Sequence, residues 1–173
     1  LSATALDSGT VSFSVLSGPA TIDGSGKLVA TSGTGSVTIR AAAAGDSNYN
    51  GAFLDQSITL TKADQNVSFA LPGNLTFNTS TGLSATALDS GTVSFSVLSG
   101  PATIDGSGKL VATSGTGSVV VRATATGDSN YNGAFLDQTI NLTKADQNVS
   151  FALPTNLTFN TSTGLSATAL DSG

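Results

Sequence analysis

Ser118-Val119-Val120-Val121-Arg122-Ala123-Thr124-Ala125 and its near-copy Ser36-Val37-Thr38-Ile39-Arg40-Ala41-Ala42-Ala43 lie 82 residues apart. Both alternate in the period of a strand with one buried face. Val119, Val121, Ala123 and Ala125 form the inward set, and positions 120, 122, 124 and 126 the outward set. The copies differ on the outward face at 120, 124 and 126. Their one inward difference, Ile39 against Val121, exchanges one β-branched apolar residue for another. A half-buried sheet accounts for that sorting.

The same spacing governs the whole chain. Leu-Ser-Ala-Thr-Ala-Leu-Asp-Ser-Gly begins at Leu1, Leu83 and Leu165, and residues 1–91 match 83–173 with seven differences. Beyond the four above, the remaining three are Ser57/Thr139, Thr59/Asn141 and Gly73/Thr155. A period of 82 exceeds that of solenoid coils and propeller blades and suits one small all-β domain per repeat. The chain starts and stops at one phase of the period, without an initiator Met, as expected of a window cut from a longer tandem array.

Further strands follow by alternation. Val67, Phe69 and Leu71 point inward from 65–71, and Leu75 and Phe77 continue the pattern. Strands are expected at 83–88 and at 93–98, with Val93, Phe95 and Val97 inward. Asp89-Ser90-Gly91 and Ser99-Gly100-Pro101 carry turn chemistry. Asp105-Gly106-Ser107-Gly108 separates 103–104 from 109–111 as a hairpin signal. Strands at 118–125 and 138–143 complete a set of about seven, with no amphipathic helical segment.

Composition narrows the function. The 173 residues carry 11 Asp but no Glu, His, Cys, Met or Trp. The commonest general bases, metal ligands and activated nucleophiles are therefore missing, and no enzyme is expected. Six Lys+Arg against those acids give a net charge of −5, the wrong sign for a nucleic-acid surface. No apolar run approaches the ~20 residues of a membrane span. No cofactor is implied.

Ser99-Gly100-Pro101-Ala102-Thr103-Ile104, Gly115-Thr116-Gly117-Ser118-Val119, 122–125 and Gly127-Asp128-Ser129-Asn130-Tyr131-Asn132-Gly133-Ala134 together resemble the bacterial immunoglobulin-like repeats of large secreted and cell-surface proteins. The resemblance implies an immunoglobulin-like β-sandwich with spacer, adhesive or fibre-forming duty, outside a bacterial cell. It carries over no catalytic or ligand-binding residue. In that family a unit opens on a strand like Lys62-Ala63-Asp64-Gln65 and closes on one like 138–143. On that phasing residues 62–143 form a complete repeat, 1–61 a partial one lacking its first strands, and 144–173 the first strands of another. Leu142-Thr143 runs into Lys144-Ala145-Asp146 without a Gly/Pro/Ser linker, so the joint should be stiff and the array an extended rod.

Asp46/Asn48/Asn50 and Asp128/Asn130/Asn132, each followed by Gly, match the opening of a calcium loop. The bidentate Glu at position twelve is replaced by Ser57 and Thr139. The competing expectation is a polar inter-strand loop whose Asx side chains bond backbone. An intramolecular Lys–Asn crosslink would need a buried Lys, whereas Lys62, Lys109 and Lys144 share outward positions. Asn66, Asn74, Asn78, Asn141, Asn148, Asn156 and Asn160 begin N-x-S/T triplets, which alternating Asn, apolar residue and Thr also produce.

The leading expectation is a structural array whose partners are neighbouring repeats, as a stalk, sheath or filament. Residues 144–164 match what the segment 1–61 lacks, which allows strand complementation between chains. A cut through a continuous array is the plainer reading. The alternative function is an adhesin binding a glycan, protein or host-cell surface through loops 112–118 and 127–133. Two Tyr and no Trp are poor material for it.

Overall fold

The computed structural model describes residues 1–6, 9–88 and 91–169, and among these the chain is all-β, in several sheets. No helix occurs among them, so none is long and apolar enough to cross a membrane. In chain order the strands are β1 (Val11–Ser17), β2 (Ala20–Ile22), β3 (Leu28–Ala30), β4 (Gly35–Ala43), β5 (Ala52–Leu60), β6 (Val67–Phe69), β7 (Asn74–Thr76) and β8 (Ser80–Gly82). They continue with β9 (Ala85–Ala87), β10 (Val93–Ser99), β11 (Ala102–Ile104), β12 (Lys109–Ala112), β13 (Ser118–Ala125), β14 (Ala134–Thr143), β15 (Val149–Phe151) and β16 (Ala167–Ala169).

The sheets come in related pairs. Order β1-β4-β5 corresponds to order β10-β13-β14-β7, and β2-β3 corresponds to β11-β12-β8. Each second member has one additional edge strand. β7 lies parallel to β14, with Asn141, Leu142 and Thr143 opposite Asn74, Leu75 and Thr76. β8 lies antiparallel to β12, with Lys109, Leu110 and Val111 opposite Gly82, Thr81 and Ser80. The pair β6-β9 corresponds to β15-β16 in the same register.

Residues group into two compact units. One comprises the described residues of Leu1–Ala70, Ser84–Phe95 and Arg122–Asp137. Ala20, Val37, Phe69, Ala123 and Ala125 are its buried apolar residues, and the Phe69 and Phe95 rings meet at 5.3 Å with a 55° tilt. The other comprises the described residues of Leu71–Leu83, Ser96–Val121 and from Gln138 onward. It buries Leu75, Ala102, Leu110, Ala112, Val119, Val121, Ile140 and Leu142. The inward set Val119, Val121, Ala123 and Ala125 is at most 1% exposed, as the alternation requires.

Val120, Arg122 and Thr124 on the outward face of β13 are half-buried rather than open, and Arg122 is held across the neighbouring strand β14. Its Nε and Nη2 donate to the Asp137 carboxylate at 2.7 and 2.8 Å, and its guanidinium lies 3.9 Å from the Phe135 ring centre. Arg40 repeats this with Asp55 and Phe53. β14 accordingly starts at Ala134, four residues before the start that alternation suggests. Strand β8 carries no apolar alternation and was not foreseen.

Phe77 does not point inward. Asn78 adopts a left-handed φ of 59°, so the chain turns just past β7, with the Thr79 hydroxyl donating to the Thr76 carbonyl. Phe77 is left exposed while its N–H donates to the Thr143 carbonyl. The hairpin at 105–108 does form. Asp105 Oδ1 accepts from the Ser107 and Lys109 N–H groups and the Ser107 hydroxyl, at 2.7–2.9 Å. Gly100 has φ +98°, and a Cβ there would stand 2.2 Å from the Ser118 carbonyl oxygen.

Asp105 and Asp137 titrate below the ordinary carboxylate range. The Lys109 N–H and then Ser107 lower Asp105, and the Arg122 guanidinium lowers Asp137. A folded-state pKa below the unfolded value contributes stability above the unfolded value, about 3.9 for Asp. That contribution is lost as pH falls through the lowered folded value. Urea midpoints should therefore hold level down to about pH 5 and decline below it. The repeat offers a further test: Ile140→Ala should cost ~2–5 kcal/mol in urea unfolding, and its counterpart Ile58→Ala less than about 1 kcal/mol.

Candidate functional site: a joint between repeats and two open sheet edges

Loop 127–133 is built around one carboxylate. Asp128 Oδ1 accepts from the N–H groups of Asn130 and Tyr131, both at 2.7 Å, as an Asx turn does. Those two donors, with the Lys62 charge adding to them, hold the Asp128 carboxyl below the usual range. The turn leaves the backbone of 130–132 facing Ala63. Ala63 N–H donates to the Asn130 carbonyl at 2.9 Å, and Asn132 N–H donates to the Ala63 carbonyl at 2.8 Å. Ala63 and Tyr131 thus form a parallel bridge.

Two side chains extend the grip. Asn132 Nδ2 donates to Asp64 Oδ1 at 2.8 Å, and Asn130 Oδ1 accepts from the buried N–H of Gly33 at 2.9 Å. Gly33 is required there by space: a Cβ would stand 2.6 Å from the Asn130 Cα and carbonyl oxygen. One loop therefore clasps a residue at 33 and the residues at 63–64, all within one compact unit. The calcium-like side chains take three separate partners: Asp128 its own loop, Asn130 the residue at 33, Asn132 the residue at 64.

In loop 45–51 the same Asx turn forms, with Asp46 Oδ1 accepting from Asn48 and Tyr49 at 2.7 and 2.8 Å. Asn48, Asn50 and Tyr49 are exposed there, whereas Tyr131 is half-buried against the bridge. In the other unit Gly115, the counterpart of Gly33, lies against Lys144, where a Cβ would meet the Lys144 Cα at 3.0 Å.

The second feature is the contrast between copies of one sequence. Ile140 on β14 is 1% exposed and Ile58 on β5 is 49% exposed. Phe69 is 5% exposed and Phe151 52%; Leu75 is 5% exposed and Leu157 59%. In each pair the buried member belongs to residues 62–143, where β14 has β7 beside it and β12 has β8. The corresponding edges of β5 and β3 carry no added strand among the described residues, and 156–158 form no strand. Unpaired edges with apolar flanks are templates for another strand.

The remaining sequence candidates are surface features. Lys62, Lys109 and Lys144 are exposed, and so are Asn66, Asn74, Asn78, Asn141, Asn148, Asn156 and Asn160. Of loop 112–118, Ala112 is buried and Ser114 and Gly115 half-buried, so less of it faces solvent than its composition suggests. Among the described residues no three of His, Cys, Asp and Glu gather as a metal site would require. Gln65 was missed: it is 5% exposed with neither amide atom bonded within the protein, and isolated Gln has no sequence signal for this. No family model and no curated protein matches the chain.

Because the loop side chains are taken up by their own loop, Gly33 and Asp64, the melting temperature should not change when calcium or a chelator is added. Gly33→Ala should lower it by several degrees, since backbone must move, while Gly24→Ala, with open space around it, should not.

Proposed function

We propose that this chain is a structural repeat of an extracellular bacterial surface protein, built of immunoglobulin-like β-sandwiches in tandem as a stalk, sheath or filament. The observation that carries this reading is the clasp at the joint. β5 ends at Leu60, and Ala63 is already bonded on both its N–H and its carbonyl to the loop of the next repeat. Two residues between structured elements leave no room for a flexible linker. The residues that make the joint recur with the period, so the same joint can be built again wherever the period continues.

Strand pairing supports the sandwich. The consecutive strands β6 and β7 pair in different sheets, β6 with β9 and β7 with β14. A sandwich needs a chain that passes from one sheet to another in this way. The resemblance read from 99–134 supports the bacterial and extracellular parts of the proposal. The low charge and Ser/Thr-rich outer faces suit a surface whose duty is repetition.

The test is length. Chains extended by one, two and four further copies of the 82-residue unit should show a maximum dimension in solution scattering that grows linearly with copy number. Growth as the square root, the law of a freely jointed chain, would overturn the proposal.

A further inference from the structure

We infer, independently of the array reading, that Asn132 is a site of intramolecular deamidation, and that its conversion to a carboxylate opens the clasp on Asp64 one way. Asn132 is followed by Gly133, whose backbone nitrogen has no side chain beside it to shield it. In that pair an asparagine side chain is most readily attacked by the next backbone nitrogen. Asn132 is also exposed, so water reaches it. Its amide is engaged in the clasp, since Nδ2 donates to Asp64 Oδ1 at 2.8 Å. An ionised carboxylate only accepts, so this contact depends on the amide nitrogen.

The step balances with water as its one co-reactant. The Gly133 nitrogen bonds to Asn132 Cγ and gives up its proton. The Cγ–Nδ2 bond breaks, and Nδ2 leaves with that proton as ammonia. Water then opens the five-membered imide at one carbonyl or the other, leaving aspartate or its β-linked isomer at 132. Nothing is oxidised or reduced. Either product carries one more negative charge and has lost the donor that Asp64 accepted from.

Geometry sets both the rate and the consequence. Ring closure takes a change of backbone and side-chain torsion at 132. Three hydrogen bonds oppose it: Nδ2 to Asp64, the Asn132 N–H to the Ala63 carbonyl at 2.8 Å, and the Ala63 N–H to the Asn130 carbonyl at 2.9 Å. A Cβ at Gly127 would stand 2.5 Å from the Gly133 nitrogen, so the loop also closes tightly on the attacking atom. The reaction therefore waits on local opening of the loop. Once it has occurred, two carboxylates face each other where an amide met one, and the contact cannot re-form as it was. The Asx turn is untouched, because Asp128 bonds within its own loop. The clasp thus loosens with age while the sheets stay folded.

Trypsin cuts after Arg122 and Lys144, which separates this loop from its copy at 45–51, released by cuts after Arg40 and Lys62. Mass spectrometry of those peptides reads the site directly. The full chain held in mildly alkaline buffer should accumulate aspartate and its isomer at 132, more slowly than the same chain unfolded in urea. Gly133→Ala should lose the product, and its Cβ, 3.3 Å from the Gly127 nitrogen, needs only small shifts. Asn132→Asp stands for the product. In it, hydrogen exchange at the N–H groups of 63 and 132 should quicken about fivefold, with Val119 unchanged. Adding Asp64→Asn puts an amide donor back opposite the new carboxylate and should restore the slow exchange. Four results would each overturn the inference: no product in the folded chain where the unfolded chain forms it, product that survives Gly133→Ala, unchanged exchange in Asn132→Asp, or no restoration by Asp64→Asn.

Discussion

A sheet of this composition is stable only where something covers its inward face and pairs its edge. Backbone N–H and C=O groups at an unpaired edge keep their need for hydrogen bonds, and apolar side chains beside it stay in water. β7 meets both needs on β14. It adds a parallel ladder at 141–143 and brings Leu75 inward, and Ile140 and Leu142 become buried beside it. β5 has nearly the same sequence and lacks that strand, and its burial pattern is exposed along almost its whole length. Full burial of one Ile, Leu or Phe is worth roughly 1.5–3 kcal/mol, so three such residues outweigh most single features of a small domain.

The short first strands therefore matter more than their length suggests. Val67–Phe69 and Asn74–Thr76 are three residues each, below the length at which a strand has any stability of its own. Asn74–Thr76 holds as an added edge on the sheet of β14, and Val67–Phe69 pairs with the equally short Ala85–Ala87 while burying Phe69. The copy at 144–164 shows the other half of the argument, since Leu157 and Phe159 stay exposed and 156–158 make no strand. What makes a strand of this sequence is the sheet beside it, more than its own propensity.

This explains which elements were legible from residues alone. The long strands announced themselves by alternation over eight or so positions, and Val119, Val121, Ala123 and Ala125 were placed inward from their spacing. The hairpin at 105–108 was legible because Asp and Gly at fixed offsets have a local mechanism. β8 was not, since Ser80-Thr81-Gly82 has no apolar member and forms only because β12 offers a partner. Phe77 misled because alternation assumes the strand continues, and the left-handed Asn78 ends it first. The joint was legible in part. Its loop was marked by the Asx pattern, but the grip on Gly33 spans 97 residues in sequence, and no local pattern reports such a contact.

Near-identity between repeats raises a difficulty that the joint helps to solve. Any first-strand segment fits any edge of the same kind, so neighbouring copies compete for one another's strands during folding. A covalent neighbour wins by effective concentration when the connection is short, and here Leu60 and Ala63 are separated by two residues. The clasp of loop 127–133 on Ala63 and Asp64 holds the segment that leads into β6 and β7. An unfilled edge cannot distinguish a strand from its own chain from one of identical sequence supplied by another.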